Sequence, residues 1–189
     1  MMKIILQFLV ESRDIRFEGN GYSAEWQAEA EKRGLRGIKN APDAFKEYIS
    51  DAAVRMFEEQ GILSAREAEA RYEVLNEIYV KKLQIEARVL GDLTTNHLIP
   101  TAITFQNALV KNVQGIKDLF PDEYSELCTT QLRLIKKISG YVNHLHNDVH
   151  NIVEARRVAN KIEDVAEKAK SYYETVFPHI ESIRTVADK

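Results

Sequence analysis

Cysteine, glycine and proline are scarce in this sequence, and each scarcity rules something out. A single cysteine in 189 residues, Cys128, leaves no internal disulfide, which fits a reducing compartment and makes the cytoplasm the expected location. Its place in an apolar stripe marks it as a buried, inert thiol. Charge of one sign is lacking as well. Lys and Arg total 26 against 29 Asp and Glu, a formal charge of -3, so the positive field that gathers nucleic acid or anionic lipid is missing and neither partner is expected. No apolar run approaches the roughly 20 residues that span a bilayer. The one early stretch, Ile4 to Val10, is interrupted by Gln7, followed by Glu11 and Arg13, and offers no small-residue cleavage site. It reads as a buried helix and not as a secretory leader.

What is present suits a globular chain. With 44% hydrophobic and 29% charged residues the sequence is too apolar for global disorder, and its length fits one ordinary domain or two small ones. Five of the eight glycines lie in the first 61 residues, whereas three of the four prolines come later. This divides the chain into an irregular front, residues 1–61, and a regular back, residues 62–189. In the front, Lys3 to Glu11 reads as helix and Ile15 to Phe17 as a short strand leading into Gly19-Asn20-Gly21. Ser23 caps a helix through Trp26 to Arg33, which Gly34 stops. After a loop from Leu35 to Ala41, Pro42 and Asp43 open another helix, with a further one around Ala52 to Gln60.

In the back, Ser64 and Glu67 form an S-x-x-E capping box, and no glycine or proline interrupts until Gly91. Tyr72, Leu75, Tyr79, Leu83, Ala87, Leu90 and Leu93 recur at steps of three and four, with Val74, Ile78, Ile85 and Val89 as a second stripe beside them. Two stripes predict two neighbours. Pro100 breaks or kinks this run. Ala102, Phe105, Leu109, Val113, Ile116 and Phe120 line the next helix, and Pro121, Asp122 and Glu123 start a third. Its face, Tyr124, Cys128, Gln131, Ile135, Ile138, Val142, Leu145, Val149 and Ile152, alternates four and three without a slip, as in a coiled-coil seam. A last helix carries Ile162, Val165, Ala169, Tyr172, Val176, Ile180 and Ile183, with a kink at Pro178. It reaches Lys189 with no stop signal, so the chain reads as cut rather than finished. The predicted fold class is mainly all-α: an up-and-down bundle of long helices, preceded by a small irregular helical segment with one short strand.

Chemistry-bearing patterns are few. Gly19-Asn20-Gly21-Tyr22-Ser23-Ala24 matches the G-x-G-x-x-A dinucleotide fingerprint, but Leu35 to Asn40 is too short, basic and glycine-containing to be the second buried strand, so a tight turn is the reading. A Walker phosphate loop is absent. His144, His146 and His150 cluster on the third helix, and His146 with His150 could place two imidazoles on one face. No Glu-x-x-His occurs, Asp148 sits on the wrong side of the turn to be a third ligand, and His97 and His179 stand isolated. A solvated polar face is therefore expected. Glu73, Glu77 and Glu86, with Arg71, Lys81 and Lys82 nearby, read as surface ion pairing, and Lys136-Lys137 and Arg156-Arg157 as exposed flanks. No Ser/His/Asp, Cys/His or paired-carboxylate constellation stands out, so no catalytic, cofactor-binding or metal residue is nominated.

The stretch Phe17-Glu18-Gly19-Asn20-Gly21-Tyr22-Ser23-Ala24-Glu25-Trp26, continued by Glu29-Ala30-Glu31-Lys32-Arg33-Gly34-Leu35, resembles the G-N-G-Y-S-x-E-W and E-A-x-x-R-G-L segment of type III glutamine synthetases. Arg71-Tyr72-Glu73-Val74-Leu75, Tyr79, Ile85-Glu86-Ala87 and Ile99-Pro100-Thr101-Ala102 resemble the long helices of that enzyme's C-terminal region, and Asn160 to Asp164 and Ala187 to Lys189 are similar too. The resemblance implies a bacterial ligase that makes glutamine from glutamate and ammonia with ATP and Mg or Mn, assembled as two stacked hexameric rings. It makes residues 1–61 the tail of the catalytic region and residues 62–189 the C-terminal bundle. The family's metal-binding glutamates, phosphate-contacting arginines and nucleotide pocket lie upstream, so this piece alone is expected to be inactive, to hold no cofactor, and to brace the rest of the synthetase chain and neighbouring subunits. Cut away from that neighbour, Phe17 and Trp26 are expected to lack cover and the front to be loose. Two other readings stand beside it: a freestanding helical interaction protein whose Ile135 to Ile152 seam pairs with a partner helix, and a metal-binding bundle using His146 and His150.

Overall fold

A computed structural model describes residues 2–13, 16–17 and 19–189, and every regular element among them is helical. The front carries α1 (Met2–Glu11), α2 (Ala24–Lys32), α3 (Ala41–Lys46) with a 3-10 turn at Glu47–Ile49, and α4 (Asp51–Glu59). Local chemistry sets their ends. Ser23 Oγ accepts from the Trp26 amide at 3.2 Å, Asn40 Oδ1 from Asp43 at 2.8 Å, and Gly34 (φ +72°) and Gly61 (φ +63°) take the left-handed conformation that closes α2 and α4. Of the strand expected over 15–17, Ile15 lies outside the described residues, and Arg16 and Phe17 are irregular. Among the described residues there is no second strand for Arg16 and Phe17 to pair with, and an unpaired segment forms no ladder. Phe17 instead turns back onto Trp26, ring centroids 4.4 Å apart, where a Cβ on Gly19 would come within 2.5 Å of its ring.

The back carries α5 (Ala65–Leu93), α6 (Ile99–Leu119), the short α7 (Tyr124–Leu127), α8 (Thr129–Ala159), α9 (Val165–Ser171) and α10 (Phe177–Ala187). Both halves of the Ser64–Glu67 capping box form: Glu67 N–H donates to Ser64 Oγ at 3.3 Å and Ser64 N–H to Glu67 Oε2 at 2.8 Å. Pro100 and Pro178 do not break their helices. Each follows a wider π turn, Thr94–Leu98 and Tyr172–Val176, which takes up the missing amide and the crowding against the turn before it. Thr94 and Thr175 hydroxyls bond back to the carbonyls of Leu90 and Ser171, both at 2.7 Å, a pattern that bends helices. The run from α5 to α6 is thereby one helical rod with a bulge, and α9 to α10 is another.

α8 returns antiparallel to α6. Asn112 meets Gln131 at 3.3 Å, and Gln106 Nε2 donates to the Ile135 carbonyl at 2.8 Å and to Ser139 Oγ at 2.6 Å. Gln106 takes the inner position between Ala102 and Leu109, whereas Phe105 and Phe120, expected on the packed face, are exposed. The third helix also starts later than Pro121 suggested, after the separate turn of α7. The core is a single cluster of Val80, Leu83 and Ala87 from α5, Leu145, Ile152 and Ala159 from α8, and Tyr172, Val176, Ile180, Ile183 and Val186 from the final rod. Burying each Ile or Leu there contributes about 1.5–3 kcal/mol before entropy is counted. Asn160 Oδ1 ties three helices, accepting from Gln84 and from the Tyr172 hydroxyl, both at 2.7 Å. The front docks through Phe45, edge-on to Tyr79 at 6.2 Å.

Two expectations about burial fail. α1 is a helix, but none of its residues is buried: Lys3, Gln7 and Glu11 lie on one stripe, and none of the described residues covers its apolar side. The second stripe of α5 is exposed at Val74, Ile78, Ile85 and Val89: α5 does have neighbours, the front segment at Tyr79 and α8 with the final rod at Val80, Leu83 and Ala87, but none of the described residues covers this stripe.

Candidate functional site

The ionisable residues that the fold gathers are not those the sequence suggested. His146 and His150 are exposed on α8. Asp148 is the buried residue, because steps of three and four from Leu145 through Asp148 to Ile152 carry it onto the inward face. There it meets α10. His179 Nδ1 lies 3.0 Å from Asp148 Oδ1, Ser182 Oγ donates to Asp148 Oδ2 at 2.6 Å, and His144 Nε2 is 3.0 Å from Oδ2 and 2.9 Å from Ser182 Oγ. His179 is therefore not isolated. A Ser/His/Asp grouping, absent from the linear sequence, exists in space.

The geometry decides what this grouping can do. In a nucleophilic triad an imidazole accepts the hydroxyl proton while the carboxylate orients the imidazole from its far side. Here the Ser182 proton points at the carboxylate itself, and His144 reaches both partners with the same ring nitrogen. Ser182 Oγ is not prepared for attack. Two imidazoles and a hydroxyl converge on one buried carboxylate and fix the rotation of α10 against α8, so the arrangement is an interhelical clasp. Among the described residues no group of three or more His, Cys, Asp or Glu is placed to hold a metal ion. The signal that could have revealed the clasp is an acid at an inward seam position, facing His-x-x-Ser on the following helix.

The remaining candidates fall out as surface chemistry. Glu77 pairs with Lys81 at 2.9 Å and Glu86 with Arg184, while Arg157 binds Glu154 at 2.8 Å and Lys137 lies over the Tyr141 ring at 5.3 Å. Arg156, expected on an exposed flank, is half-buried, and its Nε is shut from solvent without a hydrogen-bond partner. Hydrogen bonds from the Ser64 backbone amide and then its hydroxyl hold the Glu67 carboxyl below its ordinary range, and Arg33 does the same for Glu29. Burial, then Tyr173 and Glu86, push the Tyr79 phenol up. An open groove of about 350 Å³ between α5 and α9 is lined by Glu77, Val80, Lys81, Gln84, Val165 and Lys168, whose ends are already paired or solvated. Cys128 is fully buried. No helix among the described residues is long and apolar enough to cross a membrane. The Gly19–Ala24 fingerprint is a turn, in which Asn20 accepts from the amides of Tyr22 and Ser23 at 3.0 Å. The Ile135 to Ile152 seam faces α6 and α10 and closes the chain's own core.

Comparison with known proteins adds what the geometry leaves open. Residues 1–117 match the family described as the glutamine synthetase C-terminal domain. A glutamine synthetase of Bacteroides fragilis is 41% identical over 189 residues, all of this chain and 26% of that protein. One from Butyrivibrio fibrisolvens is 27% identical over 187 residues, again 26% of its length. A type-3 glutamine synthetase of Dictyostelium discoideum is 34% identical over 123 residues, 65% of this chain and 17% of that protein. The chain spans about a quarter of the length of the two bacterial relatives.

Proposed function

The chain belongs to the glutamine synthetase C-terminal domain family, and from that premise we propose that it acts as the helical C-terminal part of a type III glutamine synthetase. In this reading the whole enzyme joins glutamate and ammonia at the expense of ATP, with Mg or Mn held by residues outside these 189. Residues 1–61 continue the catalytic region, residues 62–189 form the bracing bundle, and the assembly works as stacked hexameric rings in the cytoplasm. The observation that carries the reading is the alignment of the entire chain with the Bacteroides protein. Two features support a bracing role over a reactive one: the polar cluster that α8 and α10 share is spent on holding helices, and a core built from three rods gives the stiffness that a subunit contact needs.

The test is a chimera. Replacing the matching quarter of the Bacteroides enzyme with this chain should give a protein that assembles and makes glutamine, while removing that quarter should abolish assembly. The 189 residues alone should make none. Glutamine formation by the isolated chain at a rate near that of a full-length enzyme, or a deletion that assembles and works normally, would overturn the assignment.

A further inference from the structure

The outer stripe of α5 has a symmetry that the fold does not use. Val74, Ile78, Ile85 and Val89 are 52%, 43%, 64% and 53% exposed, and they share one face because a step of 11 residues returns a helix to nearly the same direction. Read from either end, the order is Val, Ile, Ile, Val with identical spacing about the point between Lys81 and Lys82. Two copies laid antiparallel across that point would set each Val74 against Val89 of the other copy, and each Ile78 against Ile85. The same operation brings Arg71, one turn before the stripe, to Asp92, one turn after it. Both are exposed ends of the stripe, roughly 30 Å apart on one helix, and opposite in charge. A parallel pairing would instead set Arg71 against Arg71 and Asp92 against Asp92.

We propose that this face of α5 is a self-association surface, on which a second copy of the chain packs antiparallel about a two-fold axis between Lys81 and Lys82. The contact is isologous, so it closes as a dimer and does not propagate. Two Arg71–Asp92 pairs fix the register at its ends, while the four apolar layers between them exclude water. The lysines at the axis are tolerated because Glu77 already holds Lys81 at 2.9 Å and their methylene stems can lie along the apolar layers. The inference stands apart from the assignment above and does not depend on it, since it uses only the sequence and exposure of α5.

Sedimentation of the 189-residue chain over a wide concentration range tests it. A reversible monomer–dimer equilibrium is expected. Ile85→Glu should weaken it at least about tenfold, as a carboxylate in an apolar seam requires. Arg71→Asp and Asp92→Arg should each weaken it, and the double exchange should restore it, which no loss of folding could imitate. A mixture of Val74→Cys and Val89→Cys chains should crosslink on oxidation, whereas Val74→Cys alone should not; buried Cys128 stays out of reach. A chain that remains monomeric throughout, as it would if another part of a longer polypeptide covers this face, overturns the proposal. So does Val74→Cys crosslinking to itself, or a double exchange that fails to restore association.

Discussion

α1 and α10 are short helices of ten and eleven residues, both rich in Ile, Val and Phe, and they meet opposite fates. α1 buries none of its side chains, whereas Ile180, Ile183 and Val186 of α10 close the core. Content is not the difference, and neither is sidedness: Lys3, Gln7 and Glu11 gather the polar residues of α1 on one stripe at steps of four, as Ile180, Ile183 and Val186 gather on one side of α10. What differs is the neighbour: α10 is laid along α8 by the rod that carries it, whereas none of the described residues buries the apolar side of α1. An amphipathic pattern makes a face, and only the packing of the chain gives that face a partner. The sharpest way to break this contrast is to place a carboxylate on each side of it. Leu145→Asp, in the core that α10 closes, should cost several kcal/mol and lower the melting midpoint steeply, because the charge is buried without a partner. Phe8→Asp should change stability by no more than about 0.5 kcal/mol and leave the midpoint nearly where it was, as for other exposed positions. Equal effects in thermal melts would show that α1 packs after all.

The clasp at Asp148 gives the next largest effect, since it holds α10 by polar contacts rather than by area. Asp148→Ala leaves His179 and Ser182 without their acceptor and should cost about 1–3 kcal/mol. Hydrogen exchange should speed up in α10 and not in α2, which has no contact with the clasp. Unchanged protection across α10 would reduce the cluster to a passive surface feature.

Much of this molecule could be read from its residues, and the parts that could not share a cause. Helix starts at Ser23, Ser64 and Pro42 were legible because a cap acts on amides within three residues of itself. The α8 seam was legible because periodicity alone defines a face. The clasp was not, since Asp148 and His179 are separated by a turn and two helices, and only the packing of α10 brings them together. For the same reason the sequence puts Phe105 on the packed face: hydrophobicity ranks it there, but the carbonyl of Ile135 and the hydroxyl of Ser139 on α8 give the Gln106 amide partners that only packing reveals. A break or kink at Pro100 and a kink at Pro178 are what the sequence predicts, because a missing donor is visible there, whereas the π turn that accommodates it is a property of the surrounding helix.

The smallest predicted effect separates the two regions by acidity. α2 in the front starts on the Ser23 hydroxyl alone, while α5 starts on a reciprocal pair in which a carboxylate takes part. The Glu67 carboxyl titrates below its unfolded value of about 4.3, so the charged form is the one the folded state prefers. Its contribution is present in full above the unfolded value and is lost as pH falls through the lower, folded one. Acidification through that window should therefore speed amide exchange in the first turn of α5, and Glu67→Gln should remove that dependence while an amide side chain still accepts from Ser64. The first turn of α2 has no such carboxylate at the matching position, where Trp26 stands, and should show no change from this source. If both turns respond alike, or if the Gln variant keeps the full response, the pH sensitivity of α5 comes from elsewhere and its capping box is only a geometric feature.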